Sequence, residues 1–154
     1  MMSRAGLSAI DIRLTGLGDA TAMAAIHAVC FARSWDAGAM AQFLGAPSCI
    51  SLLAAAAEGE PAQGLLIARG ASDEAELLTL AVHPTCRRLG LARALLGAAM
   101  GALRASGAKQ LFLEVEEENA PARGLYQSLG AVMVGRRPGY YEHGADACIF
   151  SLAL

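Results

Sequence analysis

The stretch LTLAVHPTCRRLGLARALL, Leu78 to Leu96, constrains the fold more than any other part of the chain. It begins as an apolar strand, breaks at Pro84, passes Arg87, Arg88 and Gly90, and continues as a helix. The helix is read from apolar residues at 92, 95, 96, 99, 100 and 103, a stripe of helical spacing that Gly107 closes. A helix start exposes unpaired N–H groups and the positive end of a dipole, so it attracts anions. Gly90 has no side chain to keep a ligand from the backbone, and Ala92 follows as the next smallest residue. Arg87, Arg88 and Arg93 add charge-assisted hydrogen bonds of the kind phosphate oxygens accept. The residues therefore point to a phosphate or pyrophosphate site, with a solvated basic helix cap as the plain alternative. Neither G-x-x-x-x-G-K-[ST] nor G-x-G-x-x-G is present, which separates this turn from the common nucleotide loops.

The rest of the chain reads as alternating elements. SAIDIRLTG alternates as a first strand; DATAMAAIHAVCFARSW follows as a helix with Asp19 as N-cap, and DAGAMAQFLGAP as a short helix stopping at Gly45 and Pro47. CISLLAAAA and GLLIARG flank the turn-rich EGEPAQ as a hairpin, and AELLTLAVH is a third consecutive strand. KQLFLEV is a strand, APARGLYQSLG a helix with Pro121 near its start and Gly130 as its cap, and AVMVGRR and ADACIFSLAL the last strands. The order β-α-α-β-β-β-α-β-α-β-β predicts an α/β class with a mixed sheet.

A length of 154 residues suits one domain over 1–154, and 55% hydrophobic against 17% charged residues argues against disorder. No apolar run reaches the roughly 20 residues of a membrane span, and the N-terminus lacks a signal-type block, so a cytoplasmic protein without membrane contact is expected. A net charge of −2 excludes nucleic-acid binding through a broadly basic surface. Cys30, Cys49, Cys86 and Cys148 lack zinc-like spacing, so no metal is expected. Cys86 stands apart from these apolar fillers, because Arg87 and Arg88 beside it favour a thiolate.

R-R-L-G-L-A, Arg87 to Ala92, after the strand LTLAVHP, resembles the acetyl-CoA signature [Q/R]-x-x-G-x-[G/A] of the GNAT (GCN5-related) N-acetyltransferases. LFLEVEEENAPARGLYQSLGA resembles the family's next strand, its asparagine and its helix with an LYxxLG tag. RRPGYYEHGADA and the early CFARSW are most similar to the branch that acetylates the N-terminal alanine of a ribosomal protein. The resemblance implies a GNAT fold with splayed central strands and acetyl-CoA as co-substrate. It places the cofactor's pantetheine on the backbone of Leu80, Ala81 and Val82. Its pyrophosphate falls on the turn Arg87, Arg88, Leu89, Gly90, Leu91, Ala92 and Arg93, with Asn119 as a further contact. The implied acceptor is the basic N-terminal peptide of small-subunit ribosomal protein 18.

Acetyl transfer from a thioester to an amine moves two protons. The ammonium loses one before attack, and the departing thiolate is better protonated. An α-amine, with a pKa of about 8, deprotonates more easily at neutral pH than a lysine at about 10.4. Glu114, in LFLEVE, matches the family's glutamate and is the implied base; on its own it reads equally as a rim carboxylate. Tyr126 is the implied acid, with a half-buried core tyrosine as its alternative, and Asn119 is otherwise a good N-cap. Trp35, Tyr140 and Tyr141 are candidate walls for a peptide, or core aromatics, with His143 and Asp146 as weaker candidates. Glu116, Glu117 and Glu118 form a wet loop, or steer a basic peptide. Arg136 and Arg137 either meet the adenosine phosphate or solvate an edge strand. Leu129-Gly130-Ala131 departs from the family's LGF, and the YYEHGADA loop lacks the acidic residue that the family often has before the aspartate; both bear on peptide specificity. A lysine, polyamine or antibiotic amine as acceptor, a non-catalytic acyl-CoA-binding module, and a Cys86 thiol enzyme remain alternatives. The sequence says nothing of oligomeric state.

Overall fold

The computed structural model describes residues 10–154, so Ser8 and Ala9 of the expected first strand, and most of the N-terminal stretch read for a signal, lie outside the described residues. The elements are β1 (Asp11–Leu14), α1 (Ala20–Cys30), α2 (Ala37–Leu44), β2 (Cys49–Ala55), β3 (Ala62–Ala71), β4 (Glu74–Val82), α3 (Leu91–Ala105), β5 (Gln110–Glu116), α4 (Ala120–Ser128), β6 (Val132–Arg137) and β7 (Ala147–Ala153). This is the order expected from the sequence, with short 3-10 turns added at Leu17–Asp19 and Pro84–Cys86. The strands form a mixed, mostly antiparallel sheet in the order β1-β2-β3-β4-β5-β7-β6. The chain divides into two compact units, and both β4 and α3 contribute residues to each.

Among the described residues, unit 1 holds those up to Ala68 and Thr79–Ala99. β1 pairs antiparallel with β2 from Asp11↔Ala55 to Leu14↔Leu52. Leu52 to Ala55 on β2 and Leu65 to Ala68 on β3 are buried without alternation, the mark of strands covered on both faces. α3 lies close to β3 because Gly64 has no side chain: a Cβ there would come within 3.2 Å of Leu95 Cδ1. Leu91, Leu95, Leu96 and Ala99 form the buried stripe of α3, so it starts one residue earlier than the sequence suggested, and Ala92 is only half-buried. Burying each leucine contributes roughly 1.5–3 kcal/mol.

Two local expectations for this unit need correction. α1 ends at Cys30 rather than running towards Trp35, because Phe31 turns to an extended conformation after its N–H bonds to the His27 carbonyl at 3.0 Å. Asp19 precedes α1 but does not cap it with its side chain. Its carboxylate instead accepts from Arg13 at 2.8 Å and from the Gly16 N–H at 2.9 Å, which hold its pKa down to about 2.

Unit 2 holds Arg69–Leu78 and Met100–Leu154. β5 alternates cleanly: Leu111, Leu113 and Val115 are buried, while Phe112, Glu114 and Glu116 occupy the other face. β5 pairs antiparallel with β7 along its whole length, from Gln110↔Ala153 to Glu116↔Ala147. Its parallel pairing with β4 covers only Glu74–Glu76 against Gln110–Phe112. Glu114 lies beyond that stretch, in the part of β5 paired with β7, opposite Ile149. Asn119 caps α4 by accepting from the Ala122 N–H at 3.2 Å, and Gly130 follows the helix at φ +96°.

Candidate functional site

In unit 1 the turn before α3 is built from two residues in the left-handed region, Arg88 at φ +66° and Gly90 at φ +88°. Glycine adopts this conformation at no steric cost; Arg88 adopts it at the kind of penalty that collects at ligand sites. The first bond of α3 runs from the Ala94 N–H to the Gly90 carbonyl at 3.0 Å. The amides ahead of Ala94 thus lie at the positive end of a fifteen-residue helix. Arg87, Arg88, Leu89, Gly90 and Arg93 are exposed, so the backbone of the turn is open to solvent. Leu91 is buried and anchors the helix beneath it.

Leu80, Ala81 and Val82 close β4, with Ala81 buried and its two neighbours half-buried. The Val82 carbonyl accepts from Arg87 Nε at 3.2 Å and from the Cys30 thiol at 3.4 Å. Arg87 therefore folds back on β4, with its terminal nitrogen 3.9 Å from Cys30 Sγ. Cys86 sits half-buried in the Pro84–Cys86 turn, its Sγ 3.8 Å from the Thr85 hydroxyl.

Trp35 stands in the segment between α1 and α2, half-buried, within a row of rings. His27 lies 4.4 Å from Phe31 and 5.0 Å from Trp35, and Trp35 lies 4.9 Å from Phe43.

In unit 2 Glu114 is one-third exposed, and Arg137 Nε lies 3.4 Å from its Oε1. The Arg137 guanidinium sits 5.4 Å from the centre of the Tyr140 ring, so Glu114, Arg137 and Tyr140 form one layered contact. Phe112, Ile149, Arg137, Arg69, Glu74 and Glu76 line a depression of about 440 Å³. Tyr141 meets Tyr140 edge-on at 5.2 Å and stacks on His143 at 5.9 Å. Burial pushes the Tyr141 phenol up, and the charges of Glu114 and Glu116 push it further. Tyr126 is buried on α4, edge-on to Phe150 at 6.2 Å. Burial first, then Tyr141, pushes its pKa up to about 12.

The acidic loop is more organised than its composition implied. His143 Nε2 lies 2.7 Å from Glu116, which raises the imidazole pKa, and ligand atoms of Glu116, Glu118 and His143 lie within 4.8 Å of one another. Arg136 binds Glu117 at 2.6 Å and Asp146 at 3.0 Å. Both arginines that the sequence left between a phosphate and an edge strand thus have carboxylate partners.

Sequence reasoning missed the Arg137–Glu114 pair and the part played by His27. His27 is buried on the inner face of α1 beside Met23 and Ile26, and its partner Thr79 is 52 residues away. A lone histidine at core spacing was the available signal, and spacing alone does not say what it touches.

The chain matches the Acetyltransferase (GNAT) family over residues 20–131. It is 41% identical over 85 residues to the [ribosomal protein bS18]-alanine N-acetyltransferase of Escherichia coli K12, covering 53% of this chain and 57% of that one. The protein of the same name from Haemophilus ducreyi is 42% identical over 69 residues, covering 45% and 48%. The matched segments thus span about half the length of these relatives. Among solved structures, the ribosomal-protein-S18-alanine N-acetyltransferase from E. coli aligns with a TM-score of 0.85 at 30% identity, covering 94% of each chain. Arabidopsis thaliana NAA60 in complex with acetyl-CoA shares the fold with a TM-score of 0.84 at 20% identity, covering 95% of this chain and 99% of that one. No helix among the described residues is long and apolar enough to cross a membrane.

Proposed function

Since the chain belongs to the acetyltransferase (GNAT) family, we propose that it transfers acetyl from acetyl-CoA to the α-amine of a protein N-terminus, and that the acceptor is the N-terminal alanine of a bS18-type ribosomal protein. The observation that carries this reading is the likeness to the E. coli S18-alanine N-acetyltransferase along 94% of the chain. The whole of 1–154 serves as one acetyltransferase domain, working in the cytoplasm without metal, nucleic acid or membrane.

The turn from Arg87 to Arg93 takes the cofactor pyrophosphate on its amides, with Arg88 and Arg93 as countercharges. The backbone of Leu80, Ala81 and Val82 takes the pantetheine arm as an added strand takes its neighbour. Asn119, engaged as the cap of α4, holds the segment that contacts the cofactor.

In the reaction, Glu114 accepts a proton from the ammonium, directly or through water, and the free amine attacks the thioester carbonyl. A C–N bond forms, the C–S bond breaks, the electron pair leaves on sulfur, and the nitrogen releases its second proton to solvent to leave a neutral amide. Tyr126 donates to that sulfur. With a pKa near 12 its phenol is protonated at every working pH. A thiol titrates at about 8.5, so Tyr126 stabilises the thiolate chiefly by hydrogen bonding and the proton follows from solvent. Tyr140, Tyr141 and Trp35 line the peptide, and Glu116, Glu117 and Glu118 draw in its basic residues.

The test is intact-mass spectrometry after mixing the protein with acetyl-CoA and two short basic peptides. One begins with a free Ala-Arg terminus; the other has a blocked terminus and an internal lysine. Acetyl on the free alanine alone is the expected result. Acetyl on the lysine alone overturns the acceptor assignment, and acetyl-CoA binding without transfer to either indicates another amine or a non-catalytic module.

A further inference from the structure

His27 is buried on α1, 3% exposed, and both its ring nitrogens are engaged. Nδ1 lies 3.0 Å from the backbone nitrogen of Trp35, and Nε2 lies 3.0 Å from the Thr79 hydroxyl. A backbone N–H can only donate, so Nδ1 is the bare nitrogen. The ring proton therefore sits on Nε2, which donates to Thr79 Oγ1. This fixes the tautomer and requires a neutral imidazole, in keeping with burial lowering the pKa of His27.

The two partners belong to segments with separate tasks in the proposed reaction. Thr79 is buried on β4, immediately before Leu80, where the backbone is assigned to the cofactor. Trp35 belongs to the α1–α2 segment, assigned to the peptide. An imidazole carries an acceptor and a donor on one rigid ring, so a single side chain spans both segments. The same ring stacks on the Trp35 indole at 5.0 Å and 21°, which sets the orientation of the indole as well as the place of its backbone.

We propose that His27 is a positioning residue: its neutral ring ties the Trp35 backbone to Thr79 of the cofactor strand and thereby holds Trp35 as the wall of the acceptor-peptide site. The proposal rests on the acetyltransferase reading for its peptide part, while the tether itself is independent of it. His27 moves no proton and touches neither substrate. Its effect reaches the reaction only through where Trp35 stands.

The sequence contains a single tryptophan, so the intrinsic fluorescence of the protein reports on Trp35. Two variants separate the two bonds. His27→Asn keeps an acceptor near the Nδ1 position, and His27→Gln keeps a donor near the Nε2 position. The experiment records tryptophan emission and the KM for peptide and for acetyl-CoA in His27→Ala, His27→Gln and His27→Asn. His27→Ala and His27→Gln are expected to move the emission to the red and raise the peptide KM about fivefold, the worth of one net hydrogen bond, with the acetyl-CoA KM within about twofold of the parent. His27→Asn, which keeps the bond to the Trp35 amide but loses the one to Thr79, is expected to restore the emission and the peptide KM only in part, a rescue that a purely space-filling role does not produce. Should His27→Ala fail to fold, the contrast between the Asn and Gln variants decides the matter alone.

Unchanged emission and unchanged peptide KM in His27→Gln overturn the proposal. So does an equal rise of both KM values in all three variants, which marks His27 as a core residue only. If the parent protein transfers acetyl to no amine, the acetyltransferase reading fails by itself, and the emission of the variants still decides the tether.

Discussion

Unit 1 and unit 2 offer a ligand different things. Unit 1 presents backbone: a turn through Arg88 and Gly90 in left-handed conformation, opening a helix whose buried face is Leu91, Leu95, Leu96 and Ala99. Unit 2 presents side chains that act on one another or are set by their surroundings: Glu114 against Arg137, His143 against Glu116, and the Tyr126 phenol pushed up chiefly by burial. Backbone recognition depends on shape and tolerates many side chains; acid–base chemistry depends on particular groups. The difference teaches which substitutions alter binding and which alter turnover. The histidines repeat the contrast. His27 is held neutral by burial in unit 1, while His143 in unit 2 is drawn towards the charged form by Glu116.

Glu114→Gln gives the largest expected effect. Removing the proposed base is expected to lower kcat/KM by about 10² to 10⁴, measured with a free-amine peptide under saturating acetyl-CoA. Gly90→Val comes next. A β-branched residue at φ +88° is strained whatever space surrounds it, at about 1–3 kcal/mol, so acetyl-CoA binds about tenfold more weakly while kcat at saturation stays near the parent value. If Gly90→Val reduced kcat and left binding untouched, the division between units would break.

The smallest effect sharpens the contrast between the histidines. The His27 pKa is lowered on folding, so the unfolded chain takes up the proton first. Its contribution to stability is present above about pH 6.5 and is lost as the pH falls through that value towards the lowered folded pKa. His143 has the opposite sign: its contribution is full below the unfolded pKa and disappears as the pH rises through its raised folded value. Melting temperatures taken between about pH 8 and 5.5 should fall on acidification in the parent protein and fall less in His27→Gln. In His143→Gln they should fall slightly more than in the parent.

Much of this was legible in the sequence, for identifiable reasons. The strand–turn–helix at Leu78–Leu96 was readable because Pro84, Gly90 and the apolar stripe act within a few residues of one another. β5 was readable because Leu111, Leu113 and Val115 alternate with polar neighbours. The start of α1 was legible, with Asp19 at its N-cap position, but the partner of the Asp19 side chain was not, because its carboxylate prefers Arg13, six residues earlier, to the helix amides. The pairing of Arg137 with Glu114 depends on the register of β5, β7 and β6, which no local pattern encodes. The bridge through His27 joins positions 27, 35 and 79, and only the tertiary fold brings them together.

The most direct test is a calorimetric titration of acetyl-CoA into Glu114→Gln. A cofactor Kd within about twofold of the parent, alongside the lost turnover, is what the account predicts: unit 2 supplies the base, and the cofactor does not depend on it. A Kd weakened in proportion to the lost turnover would contradict it, because Glu114 would then belong to the cofactor's binding and not to the proton transfer.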